Sequence, residues 1–417
     1  MFSLAVFAVA QPEKLPVPRQ EKLLNNVKML IWSQSEAEKV RVILRINRGS
    51  AFDQLGKEGQ MALLAQIIFP DQISREFFEE DLGGSLEIET NYDYLQINTT
   101  AEPDQILTVL QTLANAVISP QIDKETTAKV RAEQIEKVKE LDQNPAYLAD
   151  LAVRQRLLGD FPYGRPQMGT VESLNKIDFA DLIFARQRFL TADNATLVII
   201  GNVKSDLVYR AARRYFGSWL KADEQIPATF RLPDPPEKSL KLIETEKENA
   251  SELRLAFRGL ARGDKDYYAS EILGLILNRR LQQSEGNEAI VKNNPHFLPG
   301  LVLVELPDWK KVKNGPEGLS IDTESIFSGL LAQTVSQTEF SSAKNEVLSR
   351  FNSENLAQLW LDLDTFNLNS FKGEYQKAQN AKIEDVKRIA GVWTKEPFAS
   401  VLVYQKSKPS ETESSNN

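Results

Sequence analysis

The 417-residue sequence contains no cysteine and one histidine. The first absence excludes disulfides, thiolate nucleophiles and cysteine-based zinc sites. The second excludes more. A hydrolytic zinc site takes three protein ligands, commonly with two or three imidazoles among them, and His296 alone cannot supply these. No G-x-S-x-G elbow is present, so a Ser-His-Asp triad has no motif to carry it. A basic block is missing too. The 50 Lys and Arg against 58 Asp and Glu give a formal charge of −8, without the positive footprint of a nucleic-acid binder. Beyond the first ten residues no apolar run is long enough to span a bilayer.

What is present has a globular composition, 42% hydrophobic and 26% charged, in a chain long enough for two or more domains with their own cores. The segment "MFSLAVFAVAQPEKL" has an apolar run over residues 2–10 and a small-x-small site, Ala8-Val9-Ala10, before Gln11. It predicts an export signal and a periplasmic or cell-envelope address. The missing basic n-region points to a start upstream of Met1, and a short buried strand is the competing reading.

Apolar periodicity organises the rest as α+β. Residues 23–48 alternate as two strands. "GKEGQMALLAQIIF" (56–69) reads as an apolar helix. Gly83-Gly84 precedes an alternating run and, with no Lys-Ser/Thr after it, reads as a strand-entry turn and not a phosphate cradle. Residues 106–117 carry a helical apolar stripe. Residues 123–159 read as long helices interrupted near Asn144-Pro145, and the alternating charges from Lys129 to Glu140 mark a solvated face. "NATLVIIGNV" is a buried strand, and the helix after it is expected to take Ser205 or Asp206 as N-cap. A polar, proline-rich linker is expected over 221–238. The pattern then restarts and closes on a second apolar strand, "PFASVLVYQ". The expected organisation is a leader over 1–22, an α+β half over 23–220, a second over 239–406, and a disordered tail over 407–417.

"FPYGRPQMGTVESLNKIDFADLIFARQRFLTADNATLVIIGNV", together with "DLGGSLEIETNYDYLQINTTAEPDQILTVLQTLANAVISPQID", resembles peptidase family M16. The resemblance is detailed over about 23–220 and weaker over 240–405. It implies two related α+β halves of the processing-peptidase type, closing like a clamshell around extended peptides. Active members carry H-x-x-E-H on a helix. Its two histidines share one face and grip zinc, its glutamate is base for a metal-bound water, and a glutamate from a later helix completes the set. Here the family's G-l-a-H-x-x-E-H falls on Gly59 to Gln66, so the ligand and base positions hold Ala62, Ala65 and Gln66. The distal glutamate falls at Glu136 or Lys137. No metal or other cofactor is expected in this chain; zinc is expected in a partner subunit.

Non-catalytic members of the family pair with active ones, whose partners carry an Arg and a Tyr that hold substrate backbone. The resemblance places that Arg at Arg280 and its nearest aromatic at Phe297, which lacks the hydroxyl; a surface arginine near a helix C-terminus is the plainer reading of Arg280. His296 reads as a loop histidine without a carboxylate partner. Arg262-Gly263-Asp264 reads as a chance tripeptide and not an adhesion motif. The expectation is a non-catalytic subunit in a hetero- or homodimer that helps form a peptide-binding chamber with a zinc-bearing M16 partner. The alternatives are a structural or assembly protein like the bc1 core subunits, and a stand-alone hydrolase using other chemistry.

Overall fold

The computed structural model describes residues 17–222, 230–231, 233–309 and 323–406. The apolar run of 2–10, the tail 407–417 and most of the linker's centre (223–229 and 232) lie outside the described residues. The first half runs β1 (Arg19–Lys22), β2 (Lys28–Ser33), β3 (Val40–Ile46), α1 (Gln60–Ile68), α2 (Gln72–Glu76), β4 (Ser85–Thr90), β5 (Leu95–Ala101), α3 (Ile106–Ile118), α4 (Lys124–Leu141), α5 (Pro145–Leu158), α6 (Val171–Asn175), α7 (Phe179–Phe189), β6 (Ala195–Gly201) and α8 (Ser205–Phe216). The second runs β7 (Lys241–Thr245), β8 (Ser251–Arg258), α9 (Tyr267–Glu285), β9 (Ile290–Asn294), β10 (Leu301–Leu306), α10 (Thr323–Ala332), α11 (Gln337–Ser349), α12 (Leu356–Thr365), α13 (Phe371–Asn380), α14 (Ile383–Trp393) and β11 (Phe398–Gln405).

The two sheets share one plan. Their strand orders are β1-β2-β6-β3-β5-β4 and β7-β11-β8-β10-β9. In each, one parallel pair (β2 with β6, β7 with β11) precedes a run of antiparallel ones. Dropping β1 superimposes the two orders strand for strand, and the apolar strands β6 and β11 take the same place. This is the clamshell of two α+β halves that the sequence pattern predicts.

Two expectations need correction. The leader does not extend to residue 22, because Arg19–Lys22 pairs with Lys28–Ile31 as an edge strand. An edge strand pairs through its backbone, so a polar R-Q-E-K run carries no hydrophobic signal of it. Helix α8 is capped by Lys204, with Ser205 already inside it; the Ser205 hydroxyl sits against the Ser33 hydroxyl at 2.8 Å and not on a backbone N–H. Other local signals match. Asn144 accepts from the backbone N–H of Ala146 and Tyr147 and caps α5, with Pro145 at its first position, where a missing N–H costs nothing. At the Gly83-Gly84 turn a Cβ on Gly84 would lie 1.8 Å from the Thr100 carbonyl, so only glycine fits.

One face of each sheet is covered by its own helices, in two large cores. The other face is covered by a helix from the opposite half. Helix α5 lays Ala149, Ala152, Val153 and Leu157 on Ala256, Leu303, Val401 and Val403 of the second sheet. In return, α12 lays Leu356, Ala357, Trp360 and Leu361 on Ile43 and Val198 of the first. Each fully buried Leu or Val here contributes about 1.5–3 kcal/mol, so neither sheet is complete without the other half's helix. No helix among the described residues is long and apolar enough to cross a membrane.

Candidate functional site

Helix α1 is where the family's chemistry would sit, and its residues are packed as core. The Asp53 carboxylate, outside the helix, accepts the backbone N–H groups of Gly59 and Met61 at 2.8 Å each, satisfying donors the first turn leaves free. Burial pushes the Asp53 pKa up to about 7, against the pull of these two N–H groups and the nearby Arg165. Gly59 has φ of 92°, and a Cβ there would come within 2.7 Å of the Met168 carbonyl. The turn therefore demands glycine. Within the helix Ala62 and Ala65 are 3% and 4% exposed, beside wholly buried Leu63 and Leu64. Gln66 is half-buried, and its Oε1 has no hydrogen-bond partner.

The later helix that would bring the third ligand is α4, which packs on α1. Its buried residues are Thr127, Val130, Gln134 and Val138, spaced for one helical face, while Glu136 and Lys137 are exposed. Gln134 donates from Nε2 to the Met168 carbonyl at 2.7 Å, the carbonyl that abuts Gly59. The residue of α4 that reaches the turn before α1 is thus Gln134, while Glu136 and Lys137, where the resemblance places the distal ligand, lie exposed on the same helix. On α1 the two methyl groups of Ala62 and Ala65 and the neutral amide of Gln66 do not fit zinc, which asks for imidazole or anionic ligands. No group of three or more His, Cys, Asp or Glu among the described residues is placed to hold a metal ion.

A second cluster lies between the halves. A cavity of about 510 Å³ is lined by the Asn91–Tyr94 turn, α5, the Asn293–His296 segment and α12. His296 forms part of its wall and, against expectation, is a loop histidine with a carboxylate partner. It is 8% exposed, its Nδ1 lies 2.7 Å from Asp93 Oδ2, and its ring stacks on Tyr163 with centroids 4.2 Å apart. The Tyr163 hydroxyl donates to Asp93 Oδ1 at 2.9 Å, which also accepts the Phe297 N–H at 3.2 Å. Burial and the adjacent Asp93 carboxylate raise the Tyr163 pKa, keeping the phenol protonated. Asp93 and His296 are 203 residues apart, and no local motif joins them. The sequence hint was a carboxylate held between two aromatic residues in "NYDYL". Among the described residues His296 Nε2 has no hydrogen-bond partner, so no serine or threonine hydroxyl among them completes a hydrolytic triad.

The structure keeps the two expected substrate contacts apart. Arg280 is a pinned side chain: it forks onto both carboxylate oxygens of Glu339 at 2.7 and 3.0 Å and donates to the carbonyls of Gln333 and Thr334. Its hydrogen bonds hold the Glu339 pKa down at about 2. Phe297 is 47% exposed and lines a small cavity of about 180 Å³ with Phe52, Tyr163 and Leu298. Arg262 is 6% exposed, paired with Glu374 at 2.9 Å, and lies over Tyr267; the Arg-Gly-Asp tripeptide is not presented to a partner.

A family profile described as insulinase (peptidase family M16) matches residues 28–171, and one described as the peptidase M16 inactive domain matches 176–289. An uncharacterized zinc protease of Rickettsia bellii is 22% identical over 210 residues, 49% of this chain and 50% of that protein. The match thus spans about half the length of this relative. Among solved structures, a peptidase M16 inactive domain from Pseudomonas fluorescens has a TM-score of 0.78 at 20% identity, covering 94% of this chain and 98% of that one. A protease from Helicobacter pylori has 0.81 at 17%, covering 93% and 100%. A chain of complex III2 from Candida albicans has 0.72 at 15%, covering 92% and 95%. At these identities the likeness is one of fold.

Proposed function

From the premise that the chain belongs to peptidase family M16, we propose that it is a non-catalytic subunit. In this reading it helps form a peptide-binding chamber with a separate, zinc-bearing M16 subunit, as a heterodimer. The observation that carries it is the packing of Ala62 and Ala65 of α1 in the core. On this helix the positions that would ligate metal or activate water hold Ala62, Ala65 and Gln66, which supply neither an imidazole nor a carboxylate. A fold that retains the halves without this chemistry retains surfaces. The edge strands β4 and β9 leave backbone groups free on one side, and an extended peptide adds to such an edge through main-chain hydrogen bonds alone. An envelope location, argued from residues 2–10, belongs to the same reading, as does the placing of zinc in the partner.

A second reading, a structural or assembly subunit with no substrate, is favoured by the likeness to a chain of complex III2. One experiment separates the two. Metal content and peptide cleavage are measured for this chain alone, for a zinc-motif relative encoded beside it, and for both together. The first reading expects no cleavage by this chain alone, and cleavage by the pair that exceeds that of the relative. Co-purification with an envelope complex and no effect on any peptidase favours the second. Tight zinc in the isolated chain contradicts both.

A further inference from the structure

The walls of the 510 Å³ cavity hold five Asp and Arg side chains, and four of them face a charged or imidazole partner. Asp93 faces His296, Asp150 faces Arg254, Asp362 faces Arg45, and Arg262 faces Glu374. Arg154, half-buried on α5, has no ion pair or hydrogen bond among the described residues. The same walls also concentrate polar atoms without partners. Arg154 Nη1, Asn293 Oδ1, Asn294 Nδ2 and His296 Nε2 are all buried and unbonded. A folded protein leaves few such atoms, and each calls for a physical reason. Four on the walls of one cavity, beside one arginine without a carboxylate partner among the described residues, have a common reason.

We propose that this cavity is a binding site for a small molecule bearing a single carboxylate, taken by Arg154, with an apolar or aromatic body lying against the rings of Tyr147, Tyr267 and Phe366. The arginine fork matches a carboxylate with two parallel hydrogen bonds. Arg154 offers a single positive charge, which one carboxylate balances and a doubly charged anion exceeds. Asn294 adds a donor and Asn293 an acceptor. The cavity volume falls in the range of small-molecule sites, roughly 300–1,000 Å³. The site is built within one chain from both halves and does not rest on the partner-subunit reading. The carboxylate has two possible sources, a free organic acid and the C-terminus of a short peptide.

The test is calorimetry and thermal melting on the full chain with four probes: 3-phenylpropionate, the dipeptide glycyl-phenylalanine, its C-terminal amide, and inorganic phosphate. At least one of the two carboxylates binds and raises the melting temperature, and whichever binds identifies the source. The amide and phosphate do not bind. Arg154→Gln weakens carboxylate binding at least about tenfold, equivalent to about 1.4 kcal/mol. It leaves the ligand-free melting temperature unchanged, because no bond is lost. Arg154→Lys keeps the charge without the fork and falls between. Binding of neither carboxylate, equal binding of the amide, binding of phosphate, or wild-type affinity in R154Q would each overturn the proposal. So would a lowered melting temperature in ligand-free R154Q, which would make Arg154 a packing residue.

Discussion

The central strands of the two halves each bury an arginine, and each arginine reaches a carboxylate on the helix lent by the other half. Arg45 on β3 meets Asp362 of α12 at 2.9 Å, and Arg254 on β8 meets Asp150 of α5 at 2.6 Å. The two contacts are the same in plan and unequal in depth. Arg45 is fully buried, also donates to Gln96, Gln358 and Thr365, and lies over the Tyr94 ring. Arg254 is 3% exposed, but the Asp150 side chain is 35% exposed. Burial lowers the Arg254 pKa, and Asp150 and Glu252 more than restore it. The comparison separates two uses of the duplicated plan. Where the halves tie each other together, charge pairs and apolar helices occur twice. Where the first half would carry chemistry, in α1, alanine and leucine serve the core.

This contrast yields graded expectations. Arg45→Ala leaves Asp362 buried without its cation and destabilises the chain by about 3–5 kcal/mol, read from urea unfolding. Ala62→His forces an imidazole into a filled core and costs about 1–3 kcal/mol without gain of zinc, measured by the same unfolding and by metal analysis. Arg254→Ala costs less than Arg45→Ala, about 1–2 kcal/mol, since water reaches Asp150; equal losses for the two arginines would erase the asymmetry between the halves. The smallest effect, taken per unit of pH, is on pH dependence. Because burial raises the Asp53 pKa to about 7, the folded chain holds that proton more tightly than the unfolded one. Its contribution to stability is therefore full below the ordinary carboxylate pKa and is lost as pH rises toward 7, by about 1 kcal/mol per pH unit inside that window. Asp53→Asn flattens this slope in urea titrations at pH 5, 6 and 7; an unchanged slope would remove Asp53 as its source.

Much of this was legible in the sequence, for local reasons. The Asn144-Pro145 break needs only an N-cap and a proline, and the burial of Ala62 and Ala65 follows from a helix without a polar face. The absence of the ligand set is a matter of residue identity. Contacts between distant segments were not legible. That Gln134 of α4 reaches the Met168 carbonyl beside Gly59 depends on the phase of α4 against α1, which sequence spacing does not fix. The Asp93–His296 contact spans 203 residues and the Arg45–Asp362 contact 317, so no pattern within either half announces them. Edge strand β1 was missed because its pairing uses only backbone.

The central claim is that this chain has the M16 fold without the M16 metal chemistry. Metal analysis of the isolated full chain, purified without chelator and loaded with excess zinc before desalting, tests it most directly. Zinc content well below one ion per chain, with no peptide cleavage, is the predicted result. One zinc retained per chain, removed by chelator together with a cleavage activity, would contradict it.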